Sequence, residues 1–233
     1  SVIDWMKRRH GWNIEKDWIV FTPGVVPALN MCIQAYSKPG DKVIIQPPVY
    51  YPFTWAVELN KRVLLNNQLL RVGDQYEMDF DHLKKNIDPS VKMMLLCSPH
   101  NPVGRVWNKN ELLELANVCQ RENIIMIADE IHSDLIFDGY KHIPYATLGE
   151  DIAKRTITCI APSKTFNLAG LSTSVLIIPD AGLRKKFNDV VESLHIAGGN
   201  IFGSIATEAA YTHGDEWLSQ LLKYLEGNVQ LLE

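Results

Sequence analysis

Six short runs of β-branched and other apolar residues, separated by longer amphipathic stretches, limit the possible folds of this sequence more than any other feature. The runs are Val43–Gln46, Arg62–Leu65, Lys92–Cys97, Ile124–Ala128, Thr156–Ile160 and Ser174–Ile178. Most are apolar throughout instead of alternating, the pattern of strands covered on both faces. Between them, helical spacing predicts a helix over Val26–Tyr36, after the Pro23-Gly24 break, and another over Lys109–Glu122. In the second, Asn108 is a good N-cap, and Leu112, Leu115, Ala116 and Cys119 share one face. This order predicts an α/β chain with a mostly parallel sheet flanked by helices, and ligands where strands end and loops begin. From about residue 183 the pattern is helical to the end, over Leu183–His195, Phe202–His213 and Glu216–Leu232. Val2, Ile3, Met6 and Arg8-Arg9-His10 read as the tail of a helix already under way. The last helical pattern meets no stop signal before Glu233, so both ends read as cut.

With 233 residues there is room for one large α/β domain, or for one domain and part of another. Hydrophobic residues at 46% and charged ones at 21% argue against disorder and fibrous repeats. A net charge of -4 gives no reason to expect nucleic acid or an anionic membrane as a partner. No apolar run reaches the roughly 18 to 20 residues of a membrane span. The first residues, Ser1–Arg9, hold an acid, three bases and a Trp, unlike a secretory signal. Cys32, Cys97, Cys119 and Cys159 stand isolated in apolar stretches and read as buried small hydrophobes in a reducing compartment. The cytoplasm is therefore the expected location.

Four loops carry candidate chemistry. In Thr22-Pro23-Gly24-Val25-Val26-Pro27-Ala28, Gly24 permits a backbone shape other residues resist. The following amides at a helix N-terminus suit a phosphate or carboxylate, unless this is an ordinary glycine turn. In Cys97-Ser98-Pro99-His100-Asn101-Pro102-Val103-Gly104, flanking prolines fix the backbone and aim the Asn101 amide, unless this is a plain Asx-Pro turn. Asp129-Glu130-Ile131-His132-Ser133-Asp134 places a carboxylate at the edge of a covered sheet, where it needs a cation. That cation is either a metal held by Asp129, His132 and Asp134 or an organic ring nitrogen, and a solvated helix cap is the third reading. In Ala161-Pro162-Ser163-Lys164-Thr165-Phe166-Asn167, Lys164 is either a snorkelling surface amine or a nucleophile.

Together the four are more specific than any one. A phosphate cradle, a directed Asn, an acid for a ring cation and an amine nucleophile are what pyridoxal 5′-phosphate (PLP) requires. Asn101 precedes Asp129 by 28 residues, and Lys164 follows it by 35. In order and spacing, the chain resembles fold-type I PLP enzymes of the class I/II aminotransferase superfamily. Within them it is similar to the cystathionine β-lyase branch, the PatB/MalY-type C–S lyases. The motifs that carry the resemblance are Thr22-Pro23-Gly24-Val25-Val26-Pro27, Ser98-Pro99-His100-Asn101-Pro102-Val103-Gly104, Asp129-Glu130-Ile131-His132 and Ser163-Lys164-Thr165-Phe166-Asn167. The similarity runs from Arg9-His10-Gly11-Trp12 to the end.

The resemblance implies a PLP-transferase-like large domain over residues 1–233, three-layered α/β/α, with 215–233 beginning a helix toward a C-terminal small domain. Lys164 and Tyr50 would be the catalytic residues, Lys164 bonding the cofactor aldehyde and Tyr50 stacking on its ring. Asp129 would keep the ring nitrogen protonated, Asn101 would bond its hydroxyl, and Val25, Val26 and Ser163 would hold the phosphate. His132 joins this cofactor-binding set, standing where typical aminotransferases have Tyr. The arginine for the substrate carboxylate would lie beyond Glu233, and a phosphate-binding Tyr from the partner subunit upstream of Ser1. A homodimer with its site at the subunit interface and an amino-acid substrate follow, with no metal, nucleic acid or membrane involved.

Two departures, His132 and Ser172 (where aminotransferases carry an Arg eight residues after the lysine), favour a lyase that eliminates a thiol to give pyruvate and ammonia. Ala161, where many relatives have Ser, removes a further phosphate hydroxyl. Transamination to a 2-oxo acid, a non-catalytic PLP-fold domain and a metal-dependent hydrolase are the rival readings.

Overall fold

The computed structural model describes residues 1–197 and 199–232. Its strands are β1 Ile19–Thr22, β2 Lys42–Ile45, β3 Val63–Asn66, β4 Leu70–Val72, β5 Gln75–Glu77, β6 Val91–Cys97, β7 Ile125–Asp129, β8 Thr156–Ile160 and β9 Ser174–Ile177. The helices are α1 Val2–His10, α2 Val25–Tyr36, α3 Pro52–Leu59, α4 Phe80–Asn86, α5 Lys109–Arg121, α6 Glu150–Ala153, α7 Pro162–Thr165, α8 Ala181–Ser193, α9 Ile201–His213 and α10 Asp215–Leu232. Seven strands form one sheet in the order β1-β9-β8-β7-β6-β2-β3. Its pairings are parallel except where β9 meets β1 and β8.

The pleat explains why the strand sequences lack alternation. Val43, Ile45, Met93, Leu95, Cys97 and Ile127 point to one face and meet residues of α2, α3 and α8. Ile44, Met94, Leu96, Met126 and Ala128 point to the other and meet α5, with Leu83 of α4. A third cluster joins Val2, Trp5 and Met6 of α1 to Val175 and Ile177 of β9, Tyr211 of α9 and Leu218 of α10. With both faces buried, neither can be polar, and three layers result. All four cysteines are buried and free, as their apolar settings predict.

Every predicted strand forms, within a residue or two at each end. One shift has a visible cause. Arg62, expected in a strand, instead turns its guanidinium onto Ile33 O (3.2 Å) and Ser37 O (2.6 Å) at the end of α2 and onto Asn60 O (2.6 Å) at the end of α3, and β3 begins at Val63. The structure adds β1, the β4–β5 hairpin, α3, α4 and the single turns α6 and α7 to the sequence reading. β1, Ile19–Thr22, is apolar at its first three positions but short and only partly buried, and the hairpin is mostly exposed and writes no apolar run.

Asn108 does cap α5. Its side chain accepts from Asn110 N (2.9 Å) and Glu111 N (3.1 Å), and Glu111 Oε2 accepts from Asn108 N (2.8 Å). This reciprocal box satisfies helix donors that would otherwise lack partners. Asn108→Ala is expected to cost about 1 kcal/mol and lower the melting temperature by about 2 to 4 °C, while Asn108→Asp keeps most of the stability. Thermal unfolding monitored by circular dichroism checks both.

Candidate functional site

Strands β6, β7 and β8 run parallel and end side by side. Their register pairs Cys97 with Asp129 and Asp129 with Cys159. Ser98 N donates to Asp129 O (3.0 Å), and Glu130 N donates to Cys159 O (2.9 Å), so the three exits are stitched together. The loops that follow bear Asn101, Asp129–Asp134 and Lys164 along one sheet edge, the usual position for ligands in open α/β sheets.

Asn101 sits on a turned-back loop in which His100 N donates to Arg105 O and Gly104 N donates to His100 O, both at 2.8 Å. Its own N–H donates to Cys97 Sγ (3.2 Å), and its carbonyl accepts from Tyr50 N (3.0 Å). The Ser98–Pro99 and Asn101–Pro102 peptides are both cis. Backbone contacts therefore hold Asn101 on both sides, while its side-chain amide makes no hydrogen bond among the described residues. Trp107 Nε1 donates to Cys97 O (3.0 Å) and anchors the end of β6 beneath it.

Asp129 is 6% exposed and joins none of the ion pairs among the described residues. Oδ1 accepts from Ile131 N at 3.2 Å. Burial pushes its pKa up to about 7; the Ile131 amide opposes the rise, the Glu130 charge adds to it and Lys164 opposes it weakly. Neighbouring loops thus bring a carboxylate without a bonded cation and an uncommitted amide to one place. That arrangement suits a planar ligand with a protonatable ring nitrogen and an oxygen acceptor.

Lys164 and Ser163 lie on α7, a single turn opened by Pro162. Ser163 is half-buried and Lys164 exposed, so the amine is not enclosed as a nucleophile in an apolar pocket would be. Its charge still reaches the site, pulling on Asp129 and lowering the pKa of His132. Burial is the larger cause of the His132 shift, and the Pro99 carbonyl works against it. Tyr50 is half-buried, with its ring 5.1 Å from that of Tyr51. Burial, then Tyr51, then the Asp129 charge raise the Tyr50 pKa. Tyr50, Asn101, Asp129, His132 and Lys164 are therefore linked by backbone bonds or by mutual charge effects.

At the other predicted cradle, Gly24 has φ 146°, a region unfavourable to L side chains, and precedes α2. The Val25 and Val26 amides lie in the first turn, where no intrahelical acceptor exists. Val25 belongs to the same buried cluster as Cys97 at the end of β6 and Cys159 and Ala161 at the end of β8. Thr22 and Ser174 join hydroxyls at 2.6 Å and hold β1 to β9 ahead of that helix.

The metal reading of Asp129, His132 and Asp134 does not hold. No group of three or more His, Cys, Asp or Glu among the described residues can hold a metal ion. Asp134 turns away from Asp129, and its carboxylate accepts from Trp5 Nε1, His10 and Thr165 Oγ1. Sequence reasoning missed this, as it missed the pairing of buried Glu130 with His142 (3.0 Å) and Tyr145 N (2.8 Å). Acids in a strand-end loop signal only that partners are needed, not where those partners lie.

The buried acid carries a pH signature. Between its ordinary 3.8 and about 7, folded protein keeps a proton on Asp129 that the unfolded chain releases. Stability from this group is therefore present at low pH, falls as pH rises through that window and is gone above it. In ligand-free protein, Asp129→Asn is expected to raise the melting temperature at pH 8 by on the order of 5 °C and to change nothing below about pH 4. Melting curves across pH check this.

A family model described as aminotransferase class I and II matches residues 1–233. The chain is similar to cystathionine beta-lyase PatB of Bacillus subtilis, 47% identical over 100% of this chain and 60% of that protein. It is similar to protein MalY of Escherichia coli, 31% identical over 98% of this chain and 58% of that protein. The crystal structure of cystalysin from Treponema denticola, which contains a pyridoxal 5′-phosphate cofactor, matches with a TM-score of 0.97. That match has 40% identity and covers 99% of this chain and 59% of that one. The chain thus spans about three fifths of the length of these relatives. With a full-length family match and the strand-end loops in place, this chain belongs to the class I and II aminotransferase family.

Proposed function

We propose that this chain is the cofactor-binding domain of a PLP-dependent C–S β-lyase that eliminates a thiol from cystathionine or a related sulfur amino acid. The observation that carries the reading is Asp129: a buried carboxylate, not ion-paired among the described residues, between the loops of Asn101 and Lys164. The 47% identity to a cystathionine beta-lyase over the whole chain supports the lyase assignment. His132 and Ser172, in place of the Tyr and Arg of typical aminotransferases, support it further.

When bound, PLP supplies an electron sink for the pair of electrons left at the substrate Cα. The residues of the chain do the rest. Asp129 answers the cationic ring nitrogen and gains the partner its burial demands. The Asn101 amide would donate to the ring hydroxyl oxygen. The Val25 and Val26 amides, at the positive end of α2, and the Ser163 hydroxyl hold the phosphate. Tyr50 would stack on the ring. Lys164 Nζ would hold the cofactor through its aldehyde and, once free, would serve as the base that takes the substrate Cα proton. His132, with its pKa lowered by burial and by Lys164, stays neutral beside that amine. As the Cβ–S bond breaks, the thiol leaves with a proton, and the 2-aminoacrylate released hydrolyses to pyruvate and ammonia.

Aminotransfer is the second reading, favoured by the family match itself. It uses the same residues, so the product distinguishes the two. We further propose that the enzyme is a cytoplasmic homodimer. The exposed apolar side chains Tyr51, Trp55, Leu59, Ile201, Phe202 and Ile205 support a second copy as the partner. No helix among the described residues is long and apolar enough to cross a membrane.

In the full-length protein loaded with PLP, Lys164→Ala is expected to abolish the visible cofactor band and lower pyruvate formation from cystathionine by about 1,000-fold or more. Wild-type protein that makes no pyruvate but passes its amino group to a keto acid is a transaminase. Sedimentation should show a dimer, and Trp55→Glu should shift it toward monomer.

A further inference from the structure

Lys164 stands on a helix too short to hold itself. An isolated four-residue turn has almost no stability of its own, because nucleating a helix costs more than one turn returns. Something outside α7 must fix the amine relative to Asp129, and the structure shows what does.

Asp134 is 5% exposed and accepts three hydrogen bonds. His10 Nε2 reaches Oδ1 at 2.9 Å, and Trp5 Nε1 and Thr165 Oγ1 reach Oδ2 at 3.2 and 3.3 Å. Thr165 is fully buried and directly follows Lys164. Trp5 and His10 both belong to α1. The next residue, Phe166, lies edge-on to Trp5 (5.7 Å) and Tyr211 (6.3 Å) and tilted over Trp217 (5.6 Å). Gly214 leaves room for that ring, which a Cβ there would overlap.

Asp134 also lies on the segment that begins with Asp129. Ser133 N donates to Glu130 O (2.9 Å) and Leu135 N to His132 O (3.0 Å), so this stretch is a pair of tight turns. Glu130 is locked by His142, whose ring meets that of His10 edge to face at 5.7 Å. One rigid segment thus carries the buried acid at its start and a grip on the lysine's neighbour at its end.

We propose that Asp134 is a positioning residue for Lys164, holding it at a set distance from Asp129 through Thr165, with Trp5 and His10 of α1 as the brace. This rests on the lyase reading of Lys164. The charged and titratable groups around the grip are His10, His142, Glu130, Asp129, His132, Tyr211, Arg8 and Arg9 over the Trp5 ring, and Lys164 itself. Asp134 touches none of the reacting atoms.

The test uses the full-length PLP-loaded protein with Thr165→Val, which keeps the volume and removes the donor, and Thr165→Ser, which restores it. Asp134→Asn serves as a second variant. Loss of one hydrogen bond to a charged group predicts a fall in kcat of about tenfold for Thr165→Val, with KM within about twofold. The midpoint of the visible band's pH titration should move, and the serine variant should recover both. Unchanged kcat and titration in Thr165→Val and Asp134→Asn overturn the proposal, as does a loss that tracks melting temperature and is not rescued by serine. In cofactor-free protein, amide exchange over residues 164–168 should quicken by about tenfold in Thr165→Val, and unchanged exchange also overturns the proposal. Wild-type protein that forms no visible band with PLP refutes the lyase reading instead, and amide exchange then decides the grip by itself.

Discussion

Asp129 ends a central strand with parallel neighbours on both sides, and almost all of it is withdrawn from water. A carboxylate there loses its hydration and regains one hydrogen bond, from Ile131 N. The cost appears directly as a pKa pushed up to about 7. The fold sustains it because the rest of the edge is over-determined: Trp107 pins Cys97, the Ser98 and Glu130 amides cross-link three strand ends, and apolar layers close both faces. Instability concentrated in one side chain, inside an otherwise consistent fold, is the usual mark of a functional group.

The six residues from Asp129 to Asp134 hold three buried acids with different fates. Glu130 is closed off by His142 and the Tyr145 amide, and Asp134 by Trp5, His10 and Thr165. Hydrogen bonds to a charged group are worth about 1.5 to 3 kcal/mol each. Those bonds go to the two acids that shape the segment. Asp129, with the fewest, is the acid left able to answer a ligand. The same arithmetic explains why Asp134 does not join a metal site with Asp129 and His132: its acceptor capacity is spent on α1 and α7.

The readability of the sequence followed from locality. Strands covered on both faces announce themselves as continuous apolar runs, so β2, β6, β7, β8 and β9 were visible before folding, and β3, a partly exposed edge strand, was visible from its Val63-Leu64-Leu65 run alone. β1 carries an apolar run too short to stand out, Ile19-Val20-Phe21, and the β4–β5 hairpin, mostly exposed, left none. Asn101, Asp129 and Lys164 were legible because each follows a strand in a loop of unusual composition. Asp134 was not, because Trp5 and His10 lie 129 and 124 residues away along the chain. In sequence His10 is one of a basic cluster at a helix end, and only the fold turns it inward. The exposure of Lys164 was one of the two readings its loop left open, and how far one turn of helix projects from the sheet decides it.

That exposure and the grip on Thr165 are two sides of one geometry. An amine that must bond an aldehyde, let go and then take a proton needs room to move, so its side chain cannot be packed on all sides. Its backbone, however, must not drift, because a displacement of about 1 Å at a reacting group can cost a hundredfold in rate. Fixing the next two residues separates these demands. Thr165 is held by a carboxylate and Phe166 by aromatic rings, while the Lys164 side chain remains open. The anchors come from both ends of the chain, α1 on one side and α9 and α10 on the other. Helices that at first serve only to cover one end of the sheet thereby set the place of the amine.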